Sequence, residues 1–178
     1  MTIERIKNEY IIDKLNEKSN LDTFSCGLED MDEFLKNDAL NQQNENLSVT
    51  YLVRHDDEIV GFFSLLSDKI ELKDIEDEYD LPYSVCPAMK IGRFAVNEKY
   101  HSSGLGTVLL DNICYQIKKI SKIHGIRFIT VDAYCNVRKF YYKNEFKHFK
   151  VKNKKKLIRT AERNEKTTIE LYKDLKRI

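Results

Sequence analysis

Proline is nearly absent. The 178-residue sequence holds two, Pro82 and Pro87, which bracket one short loop. There is no Pro/Gly-rich linker, no internal repeat and no low-complexity tract to mark a domain boundary. The length suits a single domain over 1–178 with a real core. Cysteine is sparse as well. Cys26, Cys86, Cys114 and Cys135 fall at no C-x-x-C spacing and in no Cys/His cluster of zinc-ligand type. The expectation is four reduced thiols and no metal. No apolar run approaches the roughly 20 residues a membrane helix needs. Met1 to Lys14 carries charges every few residues where a secretory signal would have an apolar stretch. These absences point to the cytoplasm and to no membrane partner. The net charge of +1 singles out no class of partner, so its distribution matters more than its sum.

What is present is periodicity. Leu28, Met31, Phe34 and Leu35 recur at helical spacing, with Glu29, Asp30, Glu33 and Lys36 opposite, and predict a helix over Leu28–Leu40. Strand-like runs follow at Ser48–Arg54 and Ile59–Leu66, with His55-Asp56-Asp57-Glu58 suited to a hairpin turn. The acidic stretch Glu71–Asp80 reads as a solvated loop or short helix. A third strand is expected over Met89–Val96. After it Leu105, Leu109, Ile113, Ile117 and Ile120 form the buried stripe of a long helix, with Gly125 placed to cap its end. A buried strand over Ile126–Ala133, a short helix over Asn136–Lys143, and strands over Phe146–Val151 and Thr167–Leu175 complete the pattern. This mixture implies α+β or α/β architecture around a central sheet.

The chemistry concentrates between Ile91 and Thr107, where a strand, a small-residue turn and a helix start follow one another. The first N–H groups of a helix lack internal partners, and the helix dipole adds about half a positive charge there. Glycines at Gly104 and Gly106 keep side chains out of the way of an anion. Gly-x-Gly alone also describes a plain tight turn. A dinucleotide fingerprint is excluded because Leu109 stands where its third glycine would be, and a P-loop because Gly-Lys-Ser/Thr is absent.

The stretch Phe94-Ala95-Val96 followed by His101-Ser102-Ser103-Gly104-Leu105-Gly106 resembles motif A of the GCN5-related N-acetyltransferase (GNAT) family. That motif runs from an apolar-Ala-Val strand end into a Gln/Arg-x-x-Gly-x-Gly/Ala turn. Asn136-Val137-Arg138-Lys139-Phe140-Tyr141-Tyr142-Lys143-Asn144-Glu145-Phe146 is similar to motif B, whose usual form is Asn, then a helix ending Phe-Tyr-x-x-x-Gly-Phe. Cys26-Gly27, Met31-Asp32-Glu33-Phe34-Leu35 and Gly92-Arg93-Phe94-Ala95-Val96 are similar to a bacterial, toxin-type branch. The resemblance covers roughly Phe24 to Leu175. It implies an α+β (three-layer, α/β-like) fold, with a mixed, mostly antiparallel sheet of about six to seven strands flanked by helices. Two residues depart from the pattern. His101 replaces Gln or Arg, offering less charge near pH 7. Glu145 replaces a glycine that often turns left-handed, a conformation Asn144 would tolerate in its place.

The resemblance also implies roles. The co-substrate is acetyl-CoA. The backbone of Phe94, Ala95 and Val96 would pair with the pantetheine amides. His101, Ser102, Ser103, Gly104, Leu105, Gly106 and Thr107 would hold the pyrophosphate. Tyr141 matches the general acid that protonates the thiolate leaving group; taken alone it is also a half-buried aromatic. Tyr142 ranks second. Asn136 is either an N-cap or also a contact to the pantetheine arm. Asp132 is a weak candidate base, equally a structural carboxylate. An α-amine acceptor, with a pKa of about 7.7–8, would need no base, whereas a lysine near 10.4 would need help.

Three readings follow: an acetyltransferase of a small-molecule or protein amine, a toxin-type enzyme that blocks the α-amine of aminoacyl-tRNA, and a non-catalytic acyl-CoA-binding module. The basic run from Lys147 to Arg159 contains no acid. It reads as a phosphate grip for tRNA or as a solvated loop. A second copy of the chain, in a homodimer, is the other partner allowed.

Overall fold

The computed structural model describes residues 2–75, 78–150 and 166–177. In chain order the elements are α1 (Ile3–Asn8), β1 (Ile11–Lys14), α2 (Glu29–Glu33), a π-type turn (Phe34–Asp38), α3 (Ala39–Asn44), β2 (Val49–His55), β3 (Glu58–Glu71), β4 (Val85–Val96), α4 (Leu105–Ile120), β5 (Phe128–Tyr134), α5 (Arg138–Lys143), β6 (Lys147–His148) and β7 (Thr168–Asp174). The strands form one mixed seven-stranded sheet in the order β1-β2-β3-β4-β5-β7-β6, with helices flanking it. The chain packs as two compact units, Met1–Leu66 with Ile91–Asn112, and Ser67–Lys90 with Ile113–Ile178.

In the first unit β1, β2 and the first half of β3 form an antiparallel meander, Ile11 opposite Arg54 and Val49 opposite Leu65. The β2–β3 hairpin turns on Asp56-Asp57, and Asp56 takes φ +51, which a short polar side chain tolerates. The core gathers Phe24, Met31, Phe34, Leu35, Ala39, Leu52, Ile59, Phe62 and Ala95. The predicted helix over Leu28–Leu40 exists but is not uniform. Its π-type turn shifts the phase so that Ala39 is fully buried and the helix runs on to Asn44. Leu28, expected on the apolar stripe, is the N-cap and 41% exposed. A Cβ on Gly61 would lie 2.9 Å from the Ala95 carbonyl oxygen, so only glycine lets β3 and β4 approach this closely.

In the second unit β7 pairs antiparallel with both β5 and β6. Phe128, Tyr172, Ile70, Ile75, Cys86 and Ala88 form its core. Arg127 donates two hydrogen bonds of 2.9 Å to the Asp174 carboxylate.

Several boundaries differ from expectation. Pro87 lies inside β4, which begins at Val85, so the two prolines do not bracket a loop. Gly125 is not the helix cap: its φ is not left-handed, and α4 ends in turns in which the Ile123 and His124 amides donate to the Ile120 carbonyl. Ile120 is only half-buried, and Leu110 and Cys114 widen the stripe instead. Asn144 does not take the left-handed place; Glu145 does, at φ +67. The expected strand over Phe146–Val151 is the two-residue β6, followed by a bridge from Phe149 to Ile75, and Val151 lies outside the described residues. α1 and β1 had no predicted counterpart. Among the described residues no helix is long and apolar enough to cross a membrane.

Candidate active site

The phosphate-cradle candidates come together in the first unit. β4 ends at Val96, a 3₁₀ turn spans Glu98–Tyr100, and the chain bends through His101–Gly104 into α4. Two residues of the bend are left-handed, Ser102 at φ +59 and Gly104 at φ +85, with Ser103 between them. Alternation of this kind turns successive amides toward one point, a concavity suited to anions. The Ser103 hydroxyl donates to the Tyr100 carbonyl (2.6 Å) and accepts from the Leu105 amide (3.2 Å), so the serine itself caps the helix start. The helical ladder opens with the Val108 amide on the Gly104 carbonyl, which leaves the Gly106 and Thr107 amides ahead of it. Leu105 is fully buried and anchors the helix; Thr107, Gly104 and Ser102 are exposed.

The bend is fixed by the groups behind it. The Asn97 side chain accepts from the Lys99 amide and donates to the Ile59 carbonyl. Lys99 and Tyr100 both donate to Glu58, each at 2.6 Å. Burial acts to raise the Glu58 pKa, but these two bonds outweigh it and hold the carboxyl below the usual range. Burial, reinforced by Glu58, pushes the Tyr100 phenol up to about 12. The Glu98 amide donates to the Ser25 carbonyl. Asp32 then ties down the loop that carries Cys26-Gly27, accepting from the Ser25 hydroxyl (3.0 Å) and the Cys26 amide (2.9 Å). Burial pushes the Cys26 thiol up to about 12, which makes it inert at neutral pH. All four cysteines are buried, and none forms a disulfide among the described residues.

His101 is exposed, and its Nε2 donates to the Val96 carbonyl at 3.0 Å. The imidazole thus braces the bend from behind, and one of the expected strand-edge acceptors carries this bond. Phe94 and Val96 are half-buried, and Ala95 is packed into the core. A Cβ on Gly104 would meet only the end of Lys7, Nζ at 3.5 Å and Cε at 3.8 Å. The space before the bend is therefore bordered by a cation and free of obstructing backbone, as a diphosphate requires. Lys7 and Glu58 went unnoticed in the sequence: neither belongs to a motif, and only folding brings them to the bend.

The second unit carries Asn136 and Tyr141. Asn136 is exposed, in a 3₁₀ turn over Cys135–Val137 that Arg138 holds by donating to the Cys135 carbonyl. It is not the N-cap of α5; Val137 is, with no side-chain cap. Tyr141 is 5% exposed, its ring edge-on to Phe140 and Phe146. Burial, with a smaller contribution from Cys114, pushes its phenol well above the usual range, so it keeps its proton at neutral pH. Tyr142, half-buried beside His148, is also raised, first by burial. Asp132 pairs with Lys90 at 2.5 Å. The Lys90 ammonium occupies one of its oxygens, which favours its structural reading over a base. Among the described residues no His/Cys/Asp/Glu group could hold a metal ion. Lys147 and Lys150 of the basic run are exposed, while Lys152 to Arg159 lie outside the described residues.

Residues 15–162 match the family model described as an acetyltransferase (GNAT) domain. The chain belongs to the GNAT acetyltransferase family. It is accordingly an acetyl-CoA-dependent N-acetyltransferase. A tRNA-acetylating toxin of Mycobacterium tuberculosis is 26% identical over 136 residues, covering 75% of this acetyltransferase and 81% of the toxin. Among solved structures, AtaT complexed with acetyl-methionyl-tRNAfMet superposes with TM-score 0.78 at 19% identity, over 95% of this chain and 96% of the other. An AtaT variant bound to the C-terminus of the antitoxin AtaR and acetyl-CoA gives TM-score 0.71 at 17% identity, with 95% of each covered.

Proposed function

We propose that this acetyltransferase moves the acetyl group of acetyl-CoA to the α-amine of an aminoacyl-tRNA, and that 1–178 works as one acetyltransferase domain in the cytoplasm. The observation that carries the acceptor is the Lys90–Asp132 pair, which ties up the one carboxylate offered as a base. An α-amine has a useful neutral fraction at pH 7 and attacks a thioester without one; a lysine amine would need deprotonation. The M. tuberculosis relative and AtaT support the same acceptor class. The exposed Lys147 and Lys150 fit a phosphate backbone.

In this reading the amides of Ser102, Gly104, Gly106 and Thr107 hold the diphosphate, while those of Ser103 and Leu105, expected to share in it, are engaged within the bend by the Tyr100 carbonyl and the Ser103 hydroxyl. The strand edge at Phe94–Val96 pairs with the pantetheine arm, and exposed Asn136 touches it. Tyr141 gives its proton to the departing thiolate. A partner protein that binds the enzyme, as AtaR binds AtaT, and a homodimer belong to the same reading.

The competing acceptor is a small-molecule or protein amine. Labelled acetyl-CoA, offered with charged tRNA, free amino acids, polyamines and a lysine-rich protein in parallel, decides between them. Label on the aminoacyl end of charged tRNA is expected. Label on the other amines with none on tRNA overturns the proposal.

A further inference from the structure

Lys7 has no place in the acetyltransferase motifs, and α1 lies ahead of the matched residues 15–162. Yet its ammonium is the group nearest the open side of Gly104. We infer that Lys7 is a binding residue for the diphosphate of the coenzyme, delivered to the bend by the N-terminal helix. The inference rests on the assignment of that bend as the diphosphate cradle.

Three observations carry it. First, the position is held. Ile6 is 1% exposed, the Glu9 carbonyl accepts from His55 Nδ1 at 2.5 Å, and the Tyr10 side chain bonds to Asn112 on α4. Lys7 itself is only 21% exposed, so its ammonium does not sweep freely through solvent. Second, the family's usual Gln or Arg is replaced by His101, whose ring is committed to the Val96 carbonyl. The bend thus lacks the charged side chain expected on its own loop, and Lys7 supplies a full positive charge from another element. Third, the partner of Lys7 is exchangeable. Glu4, 72% exposed, meets it at 2.9 Å. An exposed pair of this kind contributes little. A diphosphate offers two negative charges in place of one, so Lys7 turns from Glu4 to the ligand at little cost.

The test is calorimetric titration of the full chain with CoA and with dephospho-CoA, at low and high salt, for the parent, Lys7→Gln, Lys7→Arg and Glu4→Gln. Thermal melts run alongside. Lys7→Gln should weaken both ligands about tenfold, the effect of losing one charge-assisted hydrogen bond, and flatten the salt dependence. Lys7→Arg should restore most of the affinity. Glu4→Gln should bind at least as tightly as the parent, because a competing carboxylate is gone. A Lys7 acting only through α1 stability would lower binding in both Lys7→Gln and Glu4→Gln, and that result overturns the inference. Unchanged CoA affinity in Lys7→Gln overturns it too. So does a loss seen with CoA but absent with dephospho-CoA, which would assign Lys7 to the 3′-phosphate. A parent protein that binds no CoA at all would refute the cradle itself, a result separate from these.

Discussion

Glu145 stands at φ +67 just past Asn144, the C-cap of α5, and its carboxylate meets the buried ammonium of Lys173 at 3.2 Å. The pair offsets part of the strain of a non-glycine residue at this turn. Lys173, 7% exposed at its side chain, also donates to the Asn144 carbonyl at 3.0 Å, so the ion pair and the turn are pinned by one cation. The left-handed conformation costs a non-glycine residue about 1–2 kcal/mol. Glu145 is 74% exposed, so its half of the pair returns less than that. Glu145→Gly should therefore stabilise the fold by about 0.5–1 kcal/mol and raise Tm by about 2–3 °C. Differential scanning calorimetry reads it. A lower Tm would mean that the pair with Lys173 outweighs the strain.

The Arg127–Asp174 pair is the opposite case, since Asp174 is 3% exposed and bound at both oxygens. Burial acts to raise its pKa, but the Arg127 guanidinium, helped by the Lys176 amide, overrides burial and holds the carboxyl below the usual range. A depressed folded pKa contributes stability that is complete above the unfolded value, about 3.9, and is lost as pH falls through the folded value. Asp174→Asn should cost about 3 kcal/mol at pH 7, because it leaves Arg127 half-buried without its charge partner. The difference between variant and parent should shrink below about pH 4. Urea denaturation at pH 7 and at pH 3.5 checks both statements.

How far the sequence carried depended on how local the cause was. The α4 stripe from Leu105 to Ile117 and the β2–β3 hairpin were legible because period and turn chemistry act within a few residues. The Gly104 bend was legible for the same reason. The π-type turn at Phe34–Asp38 was not, since the choice between two helical registers is made by packing Ala39 into the core. Pro87 misled because a proline reads as a strand stop, whereas it is accommodated within β4. Asn144 was the better left-handed residue by propensity, and lost because its side chain donates to the Phe140 carbonyl in the last turn of α5. Lys7, Glu58 and the Lys90–Asp132 pair were invisible because each acts across a long stretch of chain.

Gly104 is where sterics and charge can be separated. Alanine there keeps the space, since its Cβ would be 3.5 Å from Lys7 Nζ, but is strained at φ +85. Gly104→Ala should lose about 1 kcal/mol of stability and weaken acetyl-CoA only a few-fold. Gly104→Glu places a carboxylate within reach of Lys7 and should abolish coenzyme binding by occupying the cradle with like charge. Titration with CoA, with a melt to show that both variants fold, gives the comparison. Full binding by Gly104→Glu would remove the bend from the coenzyme site.

Tyr141→Phe separates chemistry from packing. The ring lies edge-on to Phe140 at 5.1 Å and Phe146 at 5.5 Å, and phenylalanine fills the same volume. Stability should therefore change by less than about 1 kcal/mol. Coenzyme affinity should hold within about twofold, because the proposed role is exercised only as the thiolate departs. Turnover should fall about 10²-fold or more, the usual worth of a positioned general acid. The raised phenol adds a second signature. Burial favours the neutral form, so the proton stays in place well past the ordinary tyrosine range. Parent kcat should accordingly show no alkaline decline from this group below about pH 10. Steady-state kinetics from pH 6 to 9.5 would test both. A kcat unchanged in Tyr141→Phe would hand the proton to another donor, and Tyr142, whose buried hydroxyl has no hydrogen-bond partner among the described residues, would be the next substitution to make.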